Sequence, residues 1–270
     1  MTTRFLHVSD LHVGRHEDAQ VERALASLVE RVAPELVVAS GDLTHRGRRA
    51  QHERAHALLR SLGPPVLAVP GNHDIPYTLP ARFTSPWREF ERLWGTTEPT
   101  HASARLHVVG LNSVRPFRQQ GGALSRTQLA RVAERLRDAA AGAYRVVVLH
   151  HHLLGAPWRA ARKRPVSRRD RVLRALVAAG ADLVLSGHIH QAAAGERHEL
   201  EAAERDPRGA VLSIAPGLGR PRPHRLGEAR GLQVYEIDEG SLTVLTHVWR
   251  GDGWSLVARR TFPRGERTLT

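Results

Sequence analysis

Residues 5–12 read Phe5-Leu6-His7-Val8-Ser9-Asp10-Leu11-His12. The opening run predicts a strand over Phe5–Ser9, which places Asp10 and His12 just past its carboxyl end. Alone the pair carries little, because a strand-end Asp followed by a His is commonly a cap beside a surface residue. The same event recurs four times. Leu36–Ser40 leads into Gly41-Asp42, Val66–Val69 into Gly71-Asn72-His73-Asp74, Arg145–Leu149 into His150-His151-His152, and Leu183–Ser186 into Gly187-His188-Ile189-His190. In an α/β sheet the carboxyl ends of parallel strands converge on one edge, so groups distant in sequence meet there in one cleft. Glycine before Asp42, Asn72 and His188 is expected to let the chain turn sharply, with the next side chain facing inward.

Outward from these strands, amphipathic segments at 17–32, 48–62, 125–138 and 169–180 predict helices. Further strands are expected at Leu106–Leu111 and Val211–Ala215. Beyond residue 208 the helical pattern stops, and Leu232–Ile237, Ser241–Val248 and Ser255–Phe262 read as an antiparallel meander turning at Glu239-Gly240 and Gly251-Asp252-Gly253. An α/β order followed by a β-rich close predicts a four-layer α-β-β-α sandwich of two mixed sheets, with helices outside. One domain spanning 1–270 is expected, with a core at 4–216 and residues 217–270 completing the second sheet. Two segments without clear periodicity, 75–100 and 155–167, follow candidate ligand positions and are expected to wall the cleft.

Composition narrows the chemistry. The 270 residues are 41% hydrophobic and 25% charged, as in a globular protein, and contain no cysteine, so a metal here must take oxygen and nitrogen ligands. No apolar stretch approaches the roughly 20 residues that span a bilayer, and the start leaves no room for a signal peptide, so a cytoplasmic location is expected. A net charge of +13 raises the prospect of a nucleic-acid partner. Yet of 40 basic residues only Lys163 is a lysine, and so one-sided an arginine usage weakens that inference.

Five motifs in this order resemble the calcineurin-like metallophosphoesterase superfamily, and within it the bacterial cyclic-nucleotide phosphodiesterase branch, over roughly residues 4–216. The resemblance implies a binuclear metal site at strand carboxyl ends. Asp10, His12 and His190 would bind one ion, Asn72, His151 and His188 the other, and Asp42 would bridge them. The ions would be two divalent metals among Mn, Fe, Zn and Co, with Mn or Fe favoured. Asn72, His73 and Asp74 would be catalytic: His73 beside the scissile phosphate and Asp74 holding its imidazole in one tautomer. The implied activity is hydrolysis of a small phosphodiester by a metal-bridging hydroxide, with a 3′,5′-cyclic nucleotide as candidate substrate. A phosphomonoesterase, a metal-dependent nuclease and a metal-free scaffold of the same fold are the alternatives.

Two departures stand out. The family pattern His-His-Pro is replaced by His150-His151-His152-Leu153; setting Leu153 in the proline's place makes His151 the ligand, and His150 is the alternative. Where Gly-Asp-X-X-Asp-Arg-Gly is usual, His45 replaces the second aspartate and removes a negative charge near the site. Arg159 to Arg174, with seven arginines and Lys163 against Asp170, reads as a solvated face or as a cleft rim that steers phosphate. His16, His45, His52, His56, His101, His107, His198, His224 and His247 read mostly as surface or packing residues, and Asn112-Ser113 as a turn or pocket lining. Tyr77, Phe83, Trp87 and Trp94 either pack the 75–100 loop or stack on a base.

Overall fold

Alternate residues of a strand face opposite ways, and most predicted strands are apolar on both faces, so they must be covered on two sides. The computed structural model describes residues 2–153, 163–200, 209–222 and 227–264, and meets that demand with two stacked sheets. The strands are β1 (Thr3–Val8), β2 (Leu36–Ala39), β3 (Val66–Ala68), β4 (Thr100–Ala102), β5 (Leu106–Leu111), β6 (Tyr144–Leu149), β7 (Leu183–Ser186), β8 (Ala193–Gly195), β9 (Val211–Ile214), β10 (Gly231–Ile237), β11 (Ser241–Trp249) and β12 (Trp254–Pro263). One sheet runs β12-β11-β10-β1-β2-β3 and the other β4-β5-β6-β7-β9-β8. The helices are α1 (Ala19–Val32), α2 (Arg49–Arg60), α3 (Ala81–Thr84), α4 (Arg88–Trp94), α5 (Arg126–Arg137), α6 (Arg169–Ala178) and α7 (Arg197–Leu200).

The two-residue period sorts side chains into three cores. Phe5, Leu36, Val38, Val108, Val146, Val148, Leu183 and Tyr235 meet between the sheets. Their neighbours Leu6, Val8, Val37 and Ala39 face outward onto Leu25, Leu28 and Val29 of α1 and Leu59 of α2. On the opposite outer face, Val109, Leu111, Val147 and Val184 are covered by Val132 and Leu136 of α5 and by Val172 and Leu176 of α6. The α-β-β-α layering is thus as expected. The closing meander joins the first sheet, not the second: β10 pairs antiparallel with β1, with Phe5 opposite Tyr235. Those two rings stack at 4.4 Å, an aromatic contact that fastens the chain's last strands to its first.

The aperiodic 75–100 segment divides. Phe90 and Trp94 pack into the outer core against α2, whereas Tyr77 and Phe83 stay exposed. No helix among the described residues is long and apolar enough to cross a membrane.

His7 shares the inter-sheet face with Phe5 and is fully buried. Its Nε2 lies 2.8 Å from Ser40 Oγ, and its Nδ1 lies 3.4 Å from the Tyr235 hydroxyl. Burial pushes its pKa down to about 3, so the folded state holds the ring neutral. Because the folded value lies below the unfolded one, this contribution to stability is complete above pH 6.5 and is lost as pH falls from there toward 3. His7→Gln, which keeps a polar group for Ser40, is expected to flatten the fall in urea midpoint between pH 7.5 and 5. The difference should approach about 2 kcal/mol; equal slopes in variant and parent would show that His7 is not the buried neutral group assigned here.

Candidate metal centre and its cleft

Strand ends deliver every ligand candidate. Asp10 and His12 follow β1, Asp42 follows β2, Asn72 and His73 follow β3, His150 follows β6, and His188 and His190 follow β7. Backbone bonds knit the turns together: Asp10 N donates to Gly41 O at 2.9 Å, His12 N to Asp42 O at 2.9 Å, and Gly187 N to His150 O at 3.0 Å. The glycines act differently from expectation. Gly41 does take a left-handed φ of 89°. Gly71 and Gly187 are needed for close approach instead: a Cβ on Gly71 would strike the amide and carboxylate of Asp42, and one on Gly187 would strike Ser9 Oγ. The left-handed strain sits on the ligand candidates themselves, with φ of 53° at Asp10, 50° at His12, 51° at Asp42, 71° at His188 and 58° at His190. For a residue with a Cβ each such angle costs about 1–2 kcal/mol, and such strain concentrates where function requires it.

Two groups of ligand atoms result. In the first, Asp10 Oδ1 lies 3.0 Å from His190 Nε2, which lies 3.2 Å from His12 Nε2. In the second, His150 Nε2 lies 3.1 Å from His188 Nδ1, 3.2 Å from Asn72 Oδ1 and 3.4 Å from Asp42 Oδ1. The other Asp42 oxygen points back to the first group, 3.9 Å from His12 Nε2, and has no hydrogen-bond partner although buried. Asp42 therefore faces both.

His150, not His151, supplies the imidazole of the second group. The Nδ1 of His150 is anchored 2.8 Å from the Ser40 carbonyl, which aims Nε2 into the cluster. His151 turns its Nδ1 to Ser113 Oγ at 2.8 Å. Consecutive residues at a strand end point opposite ways, so one position of register decides between them. Asp74 also departs from its expected part. Its carboxylate accepts from Gly71 N at 2.8 Å, Thr44 N at 2.8 Å and Leu43 N at 3.2 Å, and so staples the Asp42 turn to the Asn72 turn. His73 is oriented instead by the His45 carbonyl, 2.8 Å from its Nδ1, and by the Tyr77 hydroxyl at 2.9 Å. That leaves His73 Nε2 to face the site.

Burial alone would raise both carboxyls, but neighbouring imidazoles outweigh it: His190 lowers Asp10, and His150 and His73 hold Asp42 well below the usual carboxylate range. Burial drives His12 and His188 well below the ordinary histidine value. His150 is the exception: burial pulls it down, but Asp42, Asp10 and the Ser40 carbonyl together outweigh burial and lift it to about 9. Ionised carboxylates beside neutral imidazoles are the protonation states in which both ligate metal, and the charge that His150 carries marks a place where the pocket calls for a cation. Paired ring nitrogens 3.2 Å apart and an unpartnered Asp42 oxygen likewise suit hard-to-borderline divalent ions. The residues fit a pair of metals.

Beside the cluster a cleft of about 580 Å³ is lined by Arg15, His45, Asn72, His73, Tyr77, Arg82, Gln119, Gln120 and Arg222. His45, classed above with the packing histidines, stacks on His73 with ring centres 5.9 Å apart. Its place in the second motif was the available signal. Arg15 and Arg222 carried none as cleft residues, since each lies on a loop outside the motifs, whereas Tyr77 lay on the 75–100 segment expected to wall the cleft. Ser113 was half-signalled by following a strand. Of the arginine-rich stretch, residues 154–162 lie outside the described residues; Lys163 is buried, its ammonium on the His188 carbonyl, which a solvated face would not produce. The second expected wall, 155–167, is described only from 163 onward.

The sequence profile of the calcineurin-like phosphoesterases matches residues 3–192. A "Probable cyclic nucleotide phosphodiesterase" of Synechococcus sp. is 29% identical over 206 residues, covering 71% of this chain and 75% of that protein. Among solved structures, purple acid phosphatase PPD1 of yellow lupin (Lupinus luteus) superposes with a TM-score of 0.74 at 12% identity. The match covers 98% of this chain, which spans 54% of the lupin enzyme. GAP50, described as the anchor in the inner membrane complex of Plasmodium, superposes at 0.67 with 11% identity, covering 99% and 90% of the two chains. At these identities the structural likenesses establish the fold.

The strain at the ligand positions has a measurable consequence. In EDTA-treated protein, His190→Gly is expected to be more stable than His190→Ala by about 1 kcal/mol, a difference of about 2–4 °C in melting temperature, because only alanine keeps the left-handed penalty. Equal melting temperatures would refute the strain.

Proposed function

We propose, on the premise that this chain belongs to the calcineurin-like phosphoesterase family, that it is a binuclear metal-dependent phosphodiesterase. The observation that carries the reading is the convergence of Asp10, His12 and His190, and of Asp42, His150 and His188, into two groups whose ligand atoms lie within 4.8 Å of one another. We assign the first metal to Asp10, His12 and His190, the second to Asn72, His150 and His188, and the bridge to Asp42. Mn or Fe is the favoured pair, within a carboxylate, amide and imidazole set that Zn and Co also suit. When bound, the metals supply Lewis acidity to the phosphoryl oxygens and activate a water at neutral pH.

The chain's own groups do the rest. Asn72 and His73 meet the phosphoryl group at the cleft floor and neutralise charge as it grows. Water oxygen bonds to phosphorus, losing a proton to solvent, as the opposite P–O ester bond breaks, and His73 Nε2 delivers a proton to the departing alkoxide, its ring held by the His45 carbonyl and Tyr77. Tyr77 stays a phenol, since burial pushes its pKa up to about 12. A 3′,5′-cyclic nucleotide is the first substrate to try, on the strength of the Synechococcus relative. The metal-free scaffold reading suits this chain poorly, because buried ligand side chains at every motif, five of them on strained backbone, serve no purpose in a scaffold.

Elemental analysis is expected to find two metals per chain, and the Mn²⁺-loaded protein should hydrolyse bis(p-nitrophenyl) phosphate faster than p-nitrophenyl phosphate. Metal-free protein, or a strong monoester preference, would count against the assignment. Among variants, His150→Ala should lose about one metal per chain and His151→Ala should keep both; the reverse result would restore His151 as ligand. His73→Ala should keep both metals while kcat falls about 10²–10⁴-fold on an ester with a poor leaving group.

A further inference from the structure

The cleft holds more positive charge than one scissile phosphate requires. Arg15 and Arg222 are partly buried cleft residues, and neither guanidinium has an ion pair or hydrogen bond among the described residues. Eight arginines elsewhere, Arg4, Arg49, Arg54, Arg92, Arg131, Arg197, Arg230 and Arg260, do pair with acids. Between these two arginines and the catalytic end lies His45, whose buried Nδ1 has no partner. Its ring stands 5.9 Å from that of His73, comparable with the separation of neighbouring phosphates on a nucleotide backbone.

His12, His45 and His73 bring three ring nitrogens within 4.8 Å of one another, which invites a third metal. The surroundings argue otherwise: no carboxylate belongs to that trio, and Arg15, Arg46 and Arg222 all lie close enough to act electrostatically on His45. A cation would be repelled where an anion is drawn in. Guanidinium groups held in a cleft without internal acids are the usual seat of phosphate oxygens. On the other wall, Tyr77 lines the cleft. Nearby, Phe83, which follows Arg82 in α3, and Phe117, in the loop that also provides Gln119, stack at 4.8 Å while remaining 45% and 83% exposed, a platform suited to a base.

We propose that Arg15, Arg222 and His45 form a second anion subsite, so that the preferred substrate is a linear phosphodiester carrying an additional terminal phosphate, as in a 5′-phosphorylated dinucleotide. This rests on the phosphodiesterase reading above and narrows it, since a cyclic mononucleotide would leave the second seat empty.

The Mn²⁺-loaded enzyme is assayed on phosphorylated dithymidylate (pTpT), on the same dinucleotide lacking the terminal phosphate (TpT), on 3′,5′-cyclic AMP and on bis(p-nitrophenyl) phosphate. The expected kcat/KM is at least about ten-fold higher for pTpT than for TpT or cyclic AMP, as charge-assisted phosphate contacts allow. Arg222→Gln, which keeps the side-chain stem, should lower the pTpT/TpT ratio part way, and Arg15→Ala with Arg222→Ala should bring it to about one. Independently of turnover, EDTA-treated protein should bind thymidine 3′,5′-bisphosphate about ten-fold more tightly than thymidine 5′-monophosphate, and the double variant should lose the difference. A wild-type ratio near one, a preference that survives the double variant, or equal binding of the two probes overturns the subsite and leaves the phosphodiesterase reading standing. Failure to hydrolyse any of the four diesters with two metals bound overturns that reading itself.

Discussion

Two carboxylates, Asp10 and Asp42, are withdrawn entirely from water at the edge where the sheets meet. An ionised carboxylate so placed is costly unless cations and donors surround it, and much of the local architecture answers that demand. Ser9 Oγ and His188 N donate to one oxygen of Asp10 at 2.7 and 2.9 Å, and His73 N donates to Asp42 at 2.8 Å. What remains, one oxygen on each aspartate and a ring of imidazoles, is met only in part by a proton on His150. The left-handed backbone at five of these residues follows from the same demand. Bringing side chains from five strand ends onto two small volumes leaves the turns no relaxed path, and the inter-sheet and outer cores must hold them there.

The distribution of charge around the site divides its labour. Asp10 and Asp42 set their charge in the buried floor, while the half-open cleft above is lined by arginines and imidazoles and by no carboxylate. Asp74, the third buried acid, has its carboxylate turned to the backbone amides of Gly71, Leu43 and Thr44. It therefore stiffens two turns without adding charge to the cleft. His45 standing where an aspartate is usual acts in the same sense: an acid there would sit under the arginines and cancel them.

Much of the layer structure was legible because strands buried on both faces write their two-residue period directly: Val37 and Val38 fall in different cores, as do Val147 and Val148. The meander was legible too, but not its sheet, since antiparallel pairing of β10 with β1 depends on contacts across more than 200 residues that leave no local mark. Motif spacing gathered the ligand candidates for the same reason that strand ends converge. It failed between His150 and His151 because a strand's last residue and the next differ by half a turn of orientation. It failed for the role of Asp74 because sequence neighbours in a tight turn point apart.

Arg15 and Arg222 illustrate a kind of information that sequence patterns do not carry. In a chain with 40 basic residues an arginine is unremarkable, and composition alone argues only for usage. Its significance arises when folding places these two in a cleft whose walls carry no acid. An unpaired guanidinium in a partly desolvated wall raises the free energy of the empty protein slightly and lowers that of the complex with an anion. The placement of unpaired arginines in a cleft is therefore a better guide to ligand charge than the net charge of the chain. It locates the attraction within a single-substrate cleft instead of spreading it over a surface, as a duplex-binding protein would require.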